Sequence, residues 1–291
     1  MDNYDSGLTG AAAAGFAFGS DIVRLMPTSP LDPNREIYPK APLKLVAFEI
    51  RYSASPRLES DHWEPVFERL REELPILTPP PRHELQIGPD GPRERARGRR
   101  FMNRARTCSA TLFDESATLE ASAYVRFEDF SGLARRLLVA IDECAGIPSV
   151  QRLGLRYIDE IQVPGFDPAA VSDWSRYIAA QLLEPTRDRH EVVDFRVGVG
   201  LRIHDDHQVG FRYGRLEEPV VDPEGPLKII DSPTGPYFLL DFDSFWTAPE
   251  NEFPPFEIDA VEERLLELHA PIRELFESSI TDDYRAHMRG K

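Results

Sequence analysis

The sequence predicts an α+β protein made of two tandem duplicated β-α-β(3-4)-α units, with antiparallel sheets that each pack on long helices. Three observations carry that expectation. Apolar and polar residues alternate in "LKLVAFEIRY" (43–52), in "VVDFRVGVGLRI" (192–203) and in "QVGFRYGRL" (208–216), as half-buried strands require. Apolar residues recur at helical spacing in "FSGLARRLLVAIDECAG" (130–146) and "DAVEERLLELHAPIRELFESSI" (259–280). The order strand, helix, several strands, helix then occurs twice.

Residues 1–35 read as a flexible tail rich in Ala and Gly, and they lack the basic start of a secretory signal. The first half is expected over 36–147. Strand 43–52 alternates Val46, Phe48, Ile50 and Tyr52 with Leu45, Ala47, Glu49 and Arg51. "DHWEPVFERLREEL" is a helix with Trp63, Phe67, Leu70 and Leu74 inward, Asp61 as N-cap, and "TPPPR" ending it. "HELQI", "RFMNRARTCSATLF" and "ATLEASAYV" are strands, the last two joined by a turn at "DES". The next helix turns Leu133, Leu137, Leu138 and Ile141 to one side and stops at Gly146. The second half, 148–291, opens with strand "VQRLGLRYIDEIQV" and helix "DPAAVSDWSRYIAAQLLE". The hairpin, a short edge strand "LKII", strand "PYFLLDFDSFW" and the terminal helix follow, with Pro271 expected to kink that helix or start its second segment. "FEIRY" against "LGLRY", Trp63 against Trp174 and "FEDF" against "FDSF" support a duplication. The order looks like the saddle-shaped tandem fold of the TATA-binding protein, an analogy of fold alone.

Three segments, "YPKAPLKLVAFEIRY", "VQRLGLRYIDEI" and "LHAPIRELFESSITDDYRAHM", together resemble a sporadically distributed prokaryotic family of conserved hypothetical proteins. The resemblance covers about residues 37–288. Asp159 stands where such relatives carry Asn. The resemblance implies the architecture and no catalytic residues, and its sporadic distribution implies an accessory role, such as in a defence or toxin–antitoxin locus.

Composition narrows the function classes. The 291 residues are 41% hydrophobic and 29% charged, the profile of an ordinary globular protein. A formal charge of −16 disfavours non-specific attraction to nucleic acid or anionic membrane. Cys108 and Cys144 are too few for a disulfide framework and read as reduced, buried residues of a cytoplasmic protein. No apolar run reaches membrane-spanning length. There is no GxSxG, no P-loop, and no GxGxxG between a strand and a helix, so neither an activated serine nor a nucleotide cofactor is expected.

The candidate site lies on the polar side of the strands. Asp194, Arg196, Gly198, Gly200 and Arg202 share a face, matched by Gly210, Arg212 and Gly214 on the partner strand. Arg152, Gly154, Arg156 and Ile158, with Tyr157 beside them, and Glu49 with Arg51 extend the pattern. Arginine suits bidentate recognition of carboxylate or phosphate, and glycine within a strand marks close approach by a ligand or another backbone. The expected function is non-catalytic binding of an anionic ligand or an acidic protein or peptide. The competing structural reading is a solvated face whose arginines pair with Glu49, Asp194 and Glu160. "HDDH" (204–207) supplies metal-ligand chemistry, but its position at a hairpin tip makes His204 and His207 weak metal candidates. An enzyme using His204 or His207 as general base in the same groove is a second class. A nucleic-acid binder using the basic run "RERARGRR" (93–100), read as a flexible loop, with Arg104 and Arg106 is a third, disfavoured by the net charge.

Overall fold

The computed structural model describes residues 36–59, 63–78, 82–88, 91–186, 192, 195–230 and 235–290; for 56, 59, 82–88 and 91–97 it describes the backbone alone. The expected tail, Asp61 and Asp194 lie outside these residues. Among the described residues, eleven strands and six α-helices follow in chain order: β1 (Leu43–Tyr52), α1 (Pro56–Glu59), α2 (Glu64–Leu70), β2 (Ile76–Thr78), β3 (Arg82–Gly88), β4 (Gly91–Arg97), β5 (Arg99–Met102), β6 (Cys108–Leu112), β7 (Ser116–Ala121), α3 (Phe127–Ala145), β8 (Val150–Ile161), α4 (Ala180–Leu183), β9 (Phe195–Arg202), β10 (His207–Leu216), β11 (Tyr237–Thr247), α5 (Ile258–Ser279) and α6 (Asp282–Met288).

Nine strands form one antiparallel sheet in the order β2-β5-β6-β7-β1-β8-β11-β10-β9. The two halves therefore share a single sheet, because β1 and β8 pair along almost their whole length, with Val46 opposite Tyr157 and Phe48 opposite Leu155. One face carries the apolar set of every strand, including Val46, Phe48, Ile50, Leu155, Phe238 and Phe242, all fully or almost fully buried. That face packs on α3 and α5. In α5, Val261, Leu265, Leu268 and Ile272 recur three or four residues apart and are buried. In α3, Gly146 takes the left-handed conformation (φ 60°) and its N–H donates to Asp142 O at 2.7 Å, ending the helix where the sequence indicates.

The other face is exposed at Arg51 and along β9 and β10, at Arg196, Gly198, Gly200, Arg202, Gln208 and Arg212, and half-buried at Arg152. At one end, residues 217–230 fold back on it: Tyr237 Oη donates to Glu218 O, Ser122 Oγ to Lys228 O, and Arg106 Nε to Pro226 O. Val221 and Leu45 there cover Ile158, Leu216, Tyr237 and Leu239 as a second small apolar cluster.

Several expectations change. "LKII" is part of this covering segment rather than an edge strand, and its backbone is spent on Arg106 and Ser122. The segment expected as one helix over 167–184 is a 3-10 turn (Val171–Arg176) followed by the short α4. Ile178 forms an isolated bridge with Ile280, and Ala179 N–H donates to Ser279 O, so extended pairing interrupts the helix. α5 continues through Pro271 to Ser279, with Ile280 as its C-cap, so Pro271 starts no separate helix. "RFMNRARTCSATLF" divides into β5 and β6 around a turn in which Arg106 is left-handed (φ 59°). The basic run expected as a loop has strand backbone, β4, paired with β3 in a separate two-stranded sheet. Cys108 and Cys144 are free and half-buried rather than buried, and burial pushes the Cys108 thiol up to about 12. No helix among the described residues is long and apolar enough to cross a membrane.

Gly214 is a position where only glycine fits. A Cβ there would stand 2.0 Å from Phe195 O and 3.1 Å from Arg196 Cα of β9, both backbone atoms that cannot swing away. Gly214→Ala is expected to cost about 2–3 kcal/mol by forcing β9 off β10. Urea unfolding of the variant checks this, and an unchanged midpoint would mean β9 is not held at that distance.

Candidate functional site

The register confirms which residues share the open face and adds a strand that period-two reading could not place. Gly154 of β8 lies opposite Glu49 of β1 and Phe245 of β11, and Arg152 lies opposite Arg51 and Thr247. Arg156 lies opposite Ala47 and Asp243, while Arg212 of β10 lies opposite Asp241 and Gly198. Gly210 faces Gly200, Gln208 faces Arg202, and Gly214 faces Arg196. Arg51, Arg152, Arg156, Arg196, Arg202 and Arg212 thus occupy one surface, with acidic residues of β11 running through it.

Those acids set the electrostatics. Arg156 Nε donates to Asp241 Oδ1 at 2.7 Å and Nη2 to Oδ2 at 2.8 Å, a two-point pair, and Arg212 Nε lies 3.4 Å from the same carboxylate. The Asp241 side chain is only 2% exposed, so these guanidinium groups balance a buried charge. Burial pushes the Asp243 carboxyl above its usual range, against Arg152 and Arg156, which pull it down. Arg152 reaches Glu49 at 3.4 Å, lies over the Phe245 ring at 4.9 Å, and Glu49 also pairs with Arg51. The expected pairing with Glu49 therefore occurs. Glu160 instead accepts from Val220 N–H under the covering segment, and Asp241 takes the role assigned to it.

The glycines divide. A Cβ at Gly154 would meet Arg152 Nη1 at 2.9 Å, so the space there is filled by the chain's own guanidinium rather than left for a ligand. Gly200 has nothing within 4 Å, and at Gly210 the nearest atom is Asp243 O at 3.8 Å. The room lies at the β9–β10 side, beside exposed Arg196, Arg202 and Arg212.

Tyr157 and His207 do not belong to this face. Strand alternation places Tyr157 on the helix side, opposite Val46 and Phe242. His207 is buried there too, its Nε2 2.8 Å from Ser244 Oγ, while His204 is exposed at the hairpin tip. The sheet thus separates His207 from the arginines, and the general-base arrangement loses its geometry. Burial lowers the His207 imidazole to about 4, aided by His204 and Arg264. The two rings are 6.2 Å apart, and among the described residues no three His, Cys, Asp or Glu side chains gather as metal ligands. Asp206 accepts from Trp246 Nε1 at 2.7 Å and so fastens the hairpin tip. Arg106 clamps the covering segment instead of facing a partner, and the side chains of 93–97 lie outside the description.

The helix side holds a feature absent from the sequence reading. A cavity of about 570 Å³ lies between residues 36–43, the segment leading into α3, β8 and α5. Tyr157, Asp159 and His269 are buried in its lining, and Tyr157 Oη donates to Tyr124 Oη at 3.0 Å. His269 stacks on Phe127 at 4.0 Å. Exposed Val125 and Arg126 mark the mouth. Four segments far apart in the chain build it, so the one available signal was local: an acid, Asp159, at every-second-residue spacing from Leu155, Tyr157 and Ile161 on the apolar side of β8.

No family model matches the chain, and no curated protein matches it.

Proposed function

We propose that the chain is a non-catalytic binding protein, which recognises an anionic group of an acidic protein or peptide through the arginine side of its open sheet face. The observation that carries this reading is the cluster of Arg202, Arg212 and Arg196 beside the unfilled space at Gly200 and Gly210. Arg156 presents two nitrogens to Asp241 and keeps the Nη1 donors for another acceptor. Asp241 and Asp243 hold the guanidinium groups in place, so an incoming carboxylate meets donors already positioned. The order β1-β7-β6-β5 on one side of the centre and β8-β11-β10-β9 on the other supports reading 36–147 and 148–291 as two copies of one unit, and a saddle-like curvature goes with that reading. An accessory cellular role follows from the family resemblance alone.

The test uses a fluorescent hexaglutamate peptide, with anisotropy measured at several salt concentrations. Arg202→Gln/Arg212→Gln is the informative variant, because both side chains are exposed and Arg156 remains to balance Asp241. Loss of two charge-assisted contacts is expected to weaken binding roughly a hundredfold at low salt. Equal binding by wild type and variant, or no binding by either, would remove this reading. Preference for single-stranded DNA over the peptide would favour the nucleic-acid class instead.

A further inference from the structure

The cavity lies on the opposite side of the sheet from the arginine face, and its polar groups are unusual. Asp159 is 5% exposed and lines the cavity, yet its carboxyl makes no hydrogen bond among the described residues. A carboxyl that lines a cavity without a partner from the chain leaves its oxygens to whatever enters. The charged and titratable groups around it are Lys44 on β1, Asp241 on β11 and Tyr284 on α6, with His269 and Arg273 of α5 lining the same cavity. Burial and the Asp241 charge raise the Asp159 carboxyl to about 8, against the pull of Lys44, so it is a neutral hydrogen-bond donor at pH 7.

The mouth has the opposite character. Arg126 and Arg273 line it without an ion-pair partner among the described residues. Of the other acids in the lining, Glu277 accepts from Tyr38 Oη at 3.2 Å and Arg285 Nε at 3.0 Å and Glu36 from Arg289, while Glu128 stands two residues from Arg126. Between floor and mouth the walls are aromatic and aliphatic. A volume of about 570 Å³ is in the range of small-molecule sites.

We propose that this cavity binds a small organic acid. Its carboxylate is held by Arg126 and Arg273, its apolar body lies against Tyr124, Tyr157 and Phe276, and a carbonyl or hydroxyl oxygen at its far end accepts a hydrogen bond from Asp159. A cation is disfavoured by the two guanidinium groups at the mouth.

Calorimetric titration of the full chain with three probes tests this: para-acetylphenylacetate, phenylacetate without the acceptor, and phenylacetamide without the charge. At pH 7 the acetyl compound is expected to bind roughly tenfold tighter than phenylacetate, and phenylacetamide roughly tenfold weaker than phenylacetate. Arg273→Gln is expected to reduce phenylacetate to the level of the amide with an unchanged melting temperature. At pH 9 the acetyl advantage should vanish in wild type and persist in Asp159→Asn, whose amide still donates. Arg202→Gln/Arg212→Gln should bind all three probes as wild type does, which separates this site from the sheet face. Equal affinity for acid and amide, an unaffected Arg273→Gln, or no heat from any probe at millimolar concentration would each overturn the proposal.

Discussion

Asp159→Asn is expected to make the protein more stable at and above neutral pH and to flatten its dependence on pH. The carboxyl is held at about 8 in the folded chain, against about 4 when unfolded. Between those values the folded state binds the extra proton, so stability is greatest below pH 4 and is lost as pH rises to 8. Each unit is worth about 1.4 kcal/mol, giving roughly 5 kcal/mol in all as an upper figure before relaxation. His207 acts in the opposite direction. Its folded value is lowered to about 4 from 6.5, so the unfolded state binds the extra proton and stability falls as pH drops from 6.5 to 4. The two slopes offset one another in that lower window. Asp159 shows undiluted only from pH 6.5 to 8, where wild type should lose roughly 2 kcal/mol and the asparagine variant almost none. Glu160 and Asp243, also raised by burial, are present in both proteins and cancel in the difference. Urea unfolding from pH 5 to 9 decides the matter; parallel curves would mean that Asp159 is solvated.

Arg156→Ala should be the most damaging single change on the sheet face. It leaves Asp241, 2% exposed, with only the longer contact from Arg212. Breaking a buried pair by removing one partner costs about 3–5 kcal/mol, whereas replacing both by apolar residues of similar size is often neutral. Arg156→Met/Asp241→Leu is therefore expected to recover most of what Arg156→Ala loses. Denaturation of the single and double variants gives the comparison, and equal losses in both would show that the pair contributes through packing rather than charge. The double variant also removes a guanidinium donor from the binding face, so peptide affinity should fall even where stability returns.

Period-two alternation was enough to sort the side chains of β1, β9 and β10 into faces, because each strand carries its own record of burial. It could not say which strand lies beside which. "PYFLLDFDSFW" reads as a strand from its own residues, but only the pairing of β11 between β8 and β10 shows that Asp241 and Asp243 lie among the arginines. The same limit hid the cavity, whose walls come from separate strands, helices and connections. Where local patterning was misleading, a tertiary contact overrode it. Ile178 bridging to Ile280 breaks a helix whose spacing was sound, and "LKII" at 227–230 serves as a cover rather than a strand. Tyr157 needed no tertiary information, since its neighbour Arg156 already placed it on the opposite side.

The seam between β1 and β8 has a consequence for how the chain is made. β1 acquires β7 as soon as residue 121 is available, but its other edge waits for β8, which is not complete until residue 161. During synthesis, a ten-residue strand carrying Val46, Phe48 and Ile50 thus presents an unsatisfied edge while about 40 further residues emerge. A ribosome stalled in that interval would hold a template for strand addition by another nascent chain. Co-translational aggregation should therefore peak for chains truncated between β7 and β8 and decline once β8 has left the exit tunnel.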